Sequence, residues 1–310
     1  MKTAFLFPGH GAQHIGMGKD VAENFKEADE IFEQANDILG YDIARLCFEG
    51  PEEELNNTVN SQPAIFTVSA AMLKVFQTTG PGTEIQPVIT AGLSLGEYTA
   101  LYAAGTISFE DGLKLVQKRG QAMQAAADAS EGSMVSVLGL DEGKVTDICE
   151  NAAEGQLLRC ANFNCPGQIV ISGEKKACAR AAVLAEEYGA IKAIPLKVAG
   201  AFHTDMMAPA AEALKKALCS CDVTDPDKIK TIANIKADYY NSATDIAEGL
   251  EKQLVQPILW QKCMEKLIAD GVEEFYEIGP GRVLKGLMRK IDRKKKVTNI
   301  NCAKNLLDAE

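Results

Sequence analysis

Residues 88–98 read VITAGLSLGEY and contain the pattern Gly92-Leu93-Ser94-Leu95-Gly96. The apolar run at 88–91 predicts a buried strand, and residues 97–104 predict a helix. A serine at such a strand-to-helix turn has its hydroxyl above the sheet edge, where the helix N-terminus offers N–H groups to a developing oxyanion. The pattern alone is loose, and a helix-capping serine is the alternative. The flanking elements favour Ser94 as a nucleophile, with the N–H of Leu95 as one oxyanion donor.

The strands and helices predicted around this turn divide the chain into two parts. Residues 1–129 and 199–310 alternate apolar strands with amphipathic helices, including one helix over residues 20–39, which predicts an α/β domain with parallel strands. Residues 130–198 predict the order β-α-β-β-α-β, ending in a strand over residues 191–198. This order is the ferredoxin-like arrangement. We therefore expect a ferredoxin-like subdomain inserted into a larger α/β catalytic domain.

The composition excludes several classes of function. The 310 residues carry 32 Lys and Arg against 43 Asp and Glu, a net charge of −11, whereas a nucleic-acid-binding protein needs a basic face. The 9 cysteines include no CxxC pair, which indicates reduced thiols in a cytoplasmic protein. Glycines and Glu97 interrupt the apolar stretch 88–108, so we expect no membrane helix. Neither a dinucleotide nor a Walker motif nor a metal-ligand pattern occurs, so we expect no cofactor and no metal.

A nucleophilic serine needs a base at neutral pH, and only 3 residues of the chain are histidine. His203 follows the strand predicted to end at residue 198, so it lies where strand ends meet loops, as Ser94 does. His10 and His14 are four residues apart and could face a metal, but no third ligand is evident. We expect these two histidines to be solvated or to pack in their loop, and His203 to be the base.

The serine turn is compatible with a hydrolase as well as with a transferase. An α/β-hydrolase orders its triad as Ser, then an acid, then His, and many carry an HGGG oxyanion loop. No such loop and no clear acid partner occur here, and a long segment follows His203. A plain esterase is therefore disfavoured. A serine thioesterase is the main alternative to a transferase. A third hypothesis is a non-catalytic scaffold that binds a partner protein and has a degenerate site.

Several short motifs occur in a fixed order along almost the whole chain. They are FPGHGAQ (7–13), QPA (62–64), GLSLGEY (92–98), KRG (118–120), NFNCPGQ (162–168), Phe202-His203, QLVQP (253–257) and IGPG (278–281). Each motif alone is weak, but the ordered set resembles the malonyl-CoA:acyl carrier protein transacylase family of fatty acid synthesis. The resemblance implies an α/β-hydrolase-like core with a ferredoxin-like insertion. It also implies ping-pong transfer of malonyl from malonyl-CoA to the phosphopantetheine thiol of acyl carrier protein, through a Ser94 ester.

The resemblance also assigns the catalytic groups. It implies that Ser94 attacks the thioester and that His203 takes and returns the proton, as general base and acid. The backbone carbonyl of Gln253 would orient the His203 ring in place of an acid. The backbone N–H groups of Gln13 and Leu95 would form the oxyanion hole.

Binding of the malonyl group is assigned to Arg119. A malonyl group carries a carboxylate, and the planar guanidinium of arginine can donate two parallel hydrogen bonds to the two oxygens of a carboxylate. Without the resemblance, an exposed helix arginine would be the commoner interpretation. The resemblance further places Met123, Asn162 and Gln168 in the pocket, and Phe202 is the residue type that favours malonyl over methylmalonyl.

Two features go beyond the core of the resemblance. The chain departs from the usual family pattern at three positions, where it has His10, Leu93 and Cys165. Cations concentrate near a C-terminal helix, at Lys285, Arg289, Lys290 and residues 293–296. This cluster could steer an acidic carrier protein, and a solvated helix end whose cations complement the macrodipole is nearly as good an explanation.

Overall fold

The computed structural model describes residues 1–308, and its strands form two sheets. The strands are β1 (Thr3–Phe7), β2 (Ile89–Gly92), β3 (Gly132–Leu138), β4 (Leu158–Cys165), β5 (Gln168–Glu174), β6 (Lys192–Pro195), β7 (Lys230–Ala233), β8 (Asp238–Tyr239), β9 (Glu274–Ile278) and β10 (Val297–Ile300).

Helices pack against both sheets. They are α1 (Lys19–Asn24), α2 (Lys26–Leu39), α3 (Ile43–Glu49), α4 (Glu52–Asn56), α5 (Thr58–Thr78), α6 (Gly96–Ala103), α7 (Phe109–Asp128), α8 (Glu142–Ala153), α9 (Lys175–Glu187), α10 (Ala208–Leu218), α11 (Ala243–Gln253), α12 (Trp260–Ala269), α13 (Val283–Ile291) and α14 (Ala303–Leu307). Among residues 1–308, no helix is both long and apolar enough to cross a membrane.

The larger sheet has six strands in the order β10-β9-β1-β2-β7-β8. The pairs from β10 through β7 are all parallel, and only β8 runs antiparallel to its neighbour β7. The carboxyl ends of parallel strands meet at one edge of a sheet, and loops at that edge commonly carry the functional groups. Phe7 pairs with Gly92 at this edge, which brings the Gly9 loop beside the serine turn.

The smaller sheet is antiparallel, in the order β4-β5-β3-β6. Its elements follow the chain order β3-α8-β4-β5-α9-β6, which is the β-α-β-β-α-β order predicted from the sequence. The two sheets are linked where Ile258 pairs with β4, because Ile258 N–H donates to Ala161 O at 2.8 Å and Phe163 N–H donates to Ile258 O at 2.8 Å. This link fixes the segment just after Gln253 against the smaller sheet.

Two predicted elements differ from the structure. The helix expected over residues 20–39 is broken at Phe25, whose backbone is extended (φ −133°, ψ 117°). The break allows the Phe25 carbonyl to accept from the N–H groups that open α2, and its ring packs on the core. The strand expected over residues 191–198 is shorter, because β6 has only the four partners from Val135 to Leu138. After Leu196, whose N–H donates to Met134 O at 2.9 Å, the chain leaves the sheet and returns towards Ser94.

Candidate active site

The serine turn has the strained geometry that a nucleophile at a strand-to-helix junction requires. Ser94 has a positive φ of 51°, in the left-handed region that costs energy for a non-glycine residue. Its two flanking glycines cannot be replaced. A Cβ on Gly92 would lie 1.9 Å from the Gly96 carbonyl carbon, and a Cβ on Gly96 would lie 2.2 Å from Phe7 O. The close packing of β1, β2 and α6 therefore dictates the spacing Gly-x-Ser-x-Gly and holds the hydroxyl at the sheet edge.

Ser94 and His203 form a hydrogen-bonded dyad. Ser94 Oγ lies 3.0 Å from His203 Nε2, and His203 Nδ1 lies 2.7 Å from the backbone oxygen of Gln253. A carbonyl oxygen only accepts, so Nδ1 carries the proton and Nε2 is free to accept the Ser94 proton. His203 is only 4 % exposed. Its burial, and next the nearby Arg119 cation, lower the pKa of His203 to about 3, which keeps the ring neutral and able to act as a base at neutral pH.

Arg119 is a buried cation next to Ser94. It lies on α7, is 1 % exposed, and donates through Nη1 to Gln62 Oε1 at 2.7 Å. Its Nη2 donates to both Ser94 Oγ and Gln253 Oε1 at 3.0 Å. These acceptors are all neutral, and Nε has no partner within the described residues. A buried cation that no anion contacts is costly, and the acid Glu97 is reached only through Gln253, so this guanidinium is placed to receive an anion beside the Ser94 hydroxyl.

Two backbone N–H groups are predicted to form the oxyanion hole. The N–H groups of Gln13 and Leu95 donate to no acceptor in residues 1–308. The Gln13 side chain braces its own loop, since Oε1 accepts from Gly11 N–H at 2.8 Å and Nε2 donates to Asn56 Oδ1 at 2.9 Å. Leu95 is fully buried at the start of α6. A donor without an acceptor at a helix N-terminus, as at Leu95, suits a developing oxyanion.

Sequence reasoning assigned no role in the site to Asn234 or Glu97. Asn234 Oδ1 accepts from Ser94 N–H at 2.7 Å, and its Nδ2 donates to Gly92 O at 2.8 Å, so it clamps both sides of the turn. Glu97 is fully buried and accepts from Gln253 Nε2 at 2.7 Å and from Asn234 N–H at 3.2 Å. The available signal was the position of Glu97 as the one charged residue in the apolar stretch 88–108.

Arg159, on β4, also contacts the catalytic loops. It donates to the backbone oxygen of His203 at 3.3 Å and to that of Val255. It is also paired with Asp205 at 3.3 Å. One side chain of the smaller sheet thus ties together the loop that carries His203 and the loop that follows Gln253.

The other predicted pocket residues are placed differently from one another. Met123 is buried, and its Sδ lies 3.4 Å from Nε2 of Gln62, the residue that holds Arg119. Phe202 is buried beside the dyad. Asn162 lies on β4, and Gln168 opens β5. Within residues 1–308, no hydrogen bond joins either of these two side chains to the dyad or to Arg119.

The basic helix α13 lies at the rim of this region. Lys285, Arg289 and Lys290 are exposed on it, and Lys290 Nζ donates to Gln168 Oε1 at 3.3 Å. The turn that precedes α13 packs against the Gln13 loop, where a Cβ on Gly281 would lie 3.7 Å from Ala12 O. The cations of α13 therefore follow a turn that packs on the Gln13 loop, and one of them, Lys290, contacts the smaller sheet.

The two histidines of the glycine-rich loop differ. His14 is exposed, with Nδ1 3.2 Å from Ala12 O. The His10 ring packs 6.1 Å from the Phe202 ring, centroid to centroid. Burial, and next the Arg119 cation, lower the pKa of His10 to about 4. At neutral pH the His10 ring is therefore a neutral part of the wall beside Phe202.

Replacing His10 with glutamine is expected to make the protein more tolerant of acid. Because the pKa of His10 is lower in the folded protein, the unfolded chain takes up this proton first, and stability falls as the pH drops from about 6.5 towards about 4. Urea unfolding at about pH 7 and about pH 5 should show the wild type losing about 1–2 kcal/mol more than His10→Gln. His14→Gln is the control in the same loop. Equal losses in wild type and His10→Gln would contradict a lowered pKa of His10 in the folded protein.

Comparisons with known proteins agree along the whole chain. The acyl transferase domain family matches residues 4–304. The malonyl CoA-acyl carrier protein transacylase of Bacillus subtilis is 46% identical over 301 residues, which cover 97% of this chain and 93% of that protein. The structure of the corresponding transacylase from Coxiella burnetii has a TM-score of 0.96 at 38% identity, covering 100% of this chain and 96% of that one. A malonyl-transacylase solved in complex with a type II polyketide synthase acyl carrier protein has a TM-score of 0.95 at 38% identity, covering 100% and 99%.

Proposed function

The chain belongs to the acyl transferase family, and we propose that it transfers the malonyl group of malonyl-CoA to the phosphopantetheine thiol of an acyl carrier protein. One observation carries the proposal. The buried Arg119 guanidinium touches the Ser94 hydroxyl and has only neutral partners. A substrate with a carboxylate a few atoms from its thioester carbonyl supplies the missing negative charge and places that carbonyl at Ser94.

The first half-reaction forms an ester on Ser94. Ser94 Oγ attacks the thioester carbonyl carbon while its proton moves to His203 Nε2. The oxyanion accepts from the N–H groups of Gln13 and Leu95. When the intermediate collapses, the C–S bond breaks, and the departing CoA sulfur takes the proton from His203. The proton moves along the 3.0 Å contact between Ser94 Oγ and His203 Nε2, while the Gln253 oxygen holds the ring at 2.7 Å from Nδ1.

The second half-reaction reverses these roles with a different thiol. The phosphopantetheine thiol gives its proton to His203 and attacks the ester carbonyl, and Ser94 Oγ leaves with that proton. Water must compete poorly with the thiol for transfer to win over hydrolysis. The low exposure of His203 and Arg119 supports a site that admits little water once it is filled.

Binding of the malonyl carboxylate also tunes the base. The Arg119 cation is the second cause of the low pKa of His203, after burial. A carboxylate bound to Arg119 offsets that positive charge, so the pKa of His203 rises towards its ordinary value. The base therefore becomes stronger when the correct substrate is present, and a neutral acyl group lacks this effect.

We also propose a domain organisation, a cellular location and the absence of a cofactor for this protein. The strand order β4-β5-β3-β6 supports a ferredoxin-like subdomain at 130–198. The parallel sheet with its serine turn supports an α/β-hydrolase-like catalytic domain at 1–129 and 199–310, of which residues 309–310 lie outside the described part. All nine cysteines are free, which supports a reducing, cytoplasmic location. The proposed steps use only side-chain and backbone groups, so we infer that no cofactor or metal is needed.

The carrier protein is proposed to dock against α13. Reversing charge with Lys285→Glu and Arg289→Glu is expected to lower kcat/KM for the carrier protein by about tenfold or more at low salt, because an acidic partner is steered by exposed cations. The rate of ester formation from malonyl-CoA should change much less. Lys175→Glu with Lys176→Glu, the same charge change on α9, is the matched control. Equal loss in both half-reactions would contradict a carrier-specific role.

The function itself is tested by following the fate of the malonyl group. The wild-type protein is mixed with malonyl-CoA, with and without holo acyl carrier protein, and malonyl-carrier and free malonate are both quantified. We expect transfer to the carrier to exceed hydrolysis by a wide margin. Hydrolysis that outruns transfer would replace the proposal with a serine thioesterase.

A further inference from the structure

The Gln253 residue is the junction between the catalytic dyad and the acyl-binding arginine. Its backbone oxygen accepts from His203 Nδ1–H at 2.7 Å, and its side-chain Oε1 accepts from Arg119 Nη2 at 3.0 Å. Its Nε2 donates to Ser94 O at 3.0 Å and to Glu97 Oε2 at 2.7 Å. The position of Gln253 therefore sets the orientation of both the base, His203, and the residue proposed to bind the malonyl carboxylate, Arg119.

Glu97 anchors Gln253 through the side-chain amide. Its Oε2 accepts from Gln253 Nε2 and from Asn234 N–H, and its Oε1 accepts from the Tyr240 hydroxyl. The side chain is fully buried, and burial raises the pKa of Glu97 to about 7. No cation touches the Glu97 carboxylate, because Arg119 reaches it only through Gln253. A buried acid with no direct counter-charge is costly to keep, which points to a role beyond packing.

We propose that Glu97 is a positioning residue of the transfer reaction, which holds Gln253 so that this residue orients His203 and Arg119 together. The inference rests on the proposed malonyl transfer. Glu97 also reaches the nucleophile by a second route, because Asn234, which donates its N–H to Glu97, accepts from Ser94 N–H. One carboxylate thus braces the nucleophile, the base and the acyl-binding cation.

Glu277, another buried glutamate in the larger sheet, has contacts that serve the structure alone. Glu277 on β9 is also fully buried and accepts three hydrogen bonds, from the N–H groups of Leu284 and Lys285 and from Asn299 Nδ2. These bonds cap α13 and link β9 to β10, and none of them touches the dyad or Arg119. Glu277 is therefore a matched control for loss of a buried carboxylate.

The test replaces Glu97 with methionine, which keeps the length of the side chain and removes both acceptors. We expect kcat/KM for malonyl-CoA to fall about 100-fold, because small misplacements of catalytic groups have effects of about this size. We also expect the ratio of malonyl-CoA to acetyl-CoA turnover to fall, because acetyl-CoA does not need Arg119. Glu97→Gln can still accept from Gln253 and Asn234, so it should recover most of the activity and the ratio.

The controls separate positioning from stability. Glu277→Met should lower Tm by a similar amount to Glu97→Met while leaving the malonyl to acetyl ratio at its wild-type value. If Glu97→Met does not fold, Glu97→Asp, which keeps the charge but withdraws the carboxylate, takes its place with the same expected fall in the ratio. An unchanged ratio in an active variant would overturn the role of Glu97 alone. A wild type that does not transfer malonyl would overturn this inference together with the proposed function.

Discussion

Replacing Arg119 with alanine is expected to lower kcat/KM for malonyl-CoA by about 10²- to 10³-fold, which corresponds to about 3–4 kcal/mol and lies in the range for breaking a buried charge pair. Arg119 is 1 % exposed and has only neutral partners, so the substrate carboxylate is the group that would pair with it. Acetyl-CoA carries no carboxylate, and its turnover should change far less or increase. The preference for malonyl over acetyl should therefore collapse.

Two further variants sharpen this prediction. Arg119→Lys keeps the charge but loses the planar fork. Its single nitrogen cannot occupy both the Nη1 position that donates to Gln62 and the Nη2 position that donates to Ser94, so this variant should recover little of the preference for malonyl. Lys118→Ala changes the exposed neighbour of Arg119 on α7 and should behave as wild type. The measurement is kcat/KM for both thioesters with each variant. A preference that survives Arg119→Ala would contradict the assignment of the carboxylate site.

Replacing Ser94 with alanine is expected to lower transfer by about 10⁴-fold or more, since no other hydroxyl takes the place of the nucleophile. Ser94 and His203 act as a unit through their 3.0 Å hydrogen bond. The double variant Ser94→Ala with His203→Ala should therefore lose hardly more activity than Ser94→Ala alone. The steady-state rate of malonyl transfer to carrier protein is measured for the single and the double variant. Multiplying losses in the double variant would contradict a shared proton-transfer step.

The parts of this site that could be predicted from the sequence are those that depend on residues close together in the chain. The Gly-x-Ser-x-Gly spacing follows from close backbone packing at Gly92 and Gly96, where an added Cβ would lie about 2 Å from a backbone atom, so the turn at Ser94 could be predicted from its own neighbours. His203 was found because the chain offers few histidines and because it follows a strand. The positions of β2 and α6 and the order of elements in the smaller sheet were likewise predicted from periodicity.

The parts that escaped prediction depend on contacts between distant residues. Asn234 clamps Ser94 across 140 positions of sequence, and no local pattern marks an asparagine for that task. The role of the Gln253 backbone oxygen came only from the family resemblance, because a carbonyl has no signature in a sequence. The break at Phe25 has the same origin, since the ring packs on the core and the tertiary contact overrides the helical pattern.

Intact mass spectrometry of the protein after mixing with malonyl-CoA, without carrier protein, tests the central claim most directly. The Ser94 ester should appear as a gain of one malonyl group on the wild type and disappear when holo acyl carrier protein is added. Peptide mapping should place it on Ser94, and Ser94→Ala should show no gain. Absence of the adduct from the wild type during active transfer, or its persistence in Ser94→Ala, would contradict a mechanism that passes through this serine.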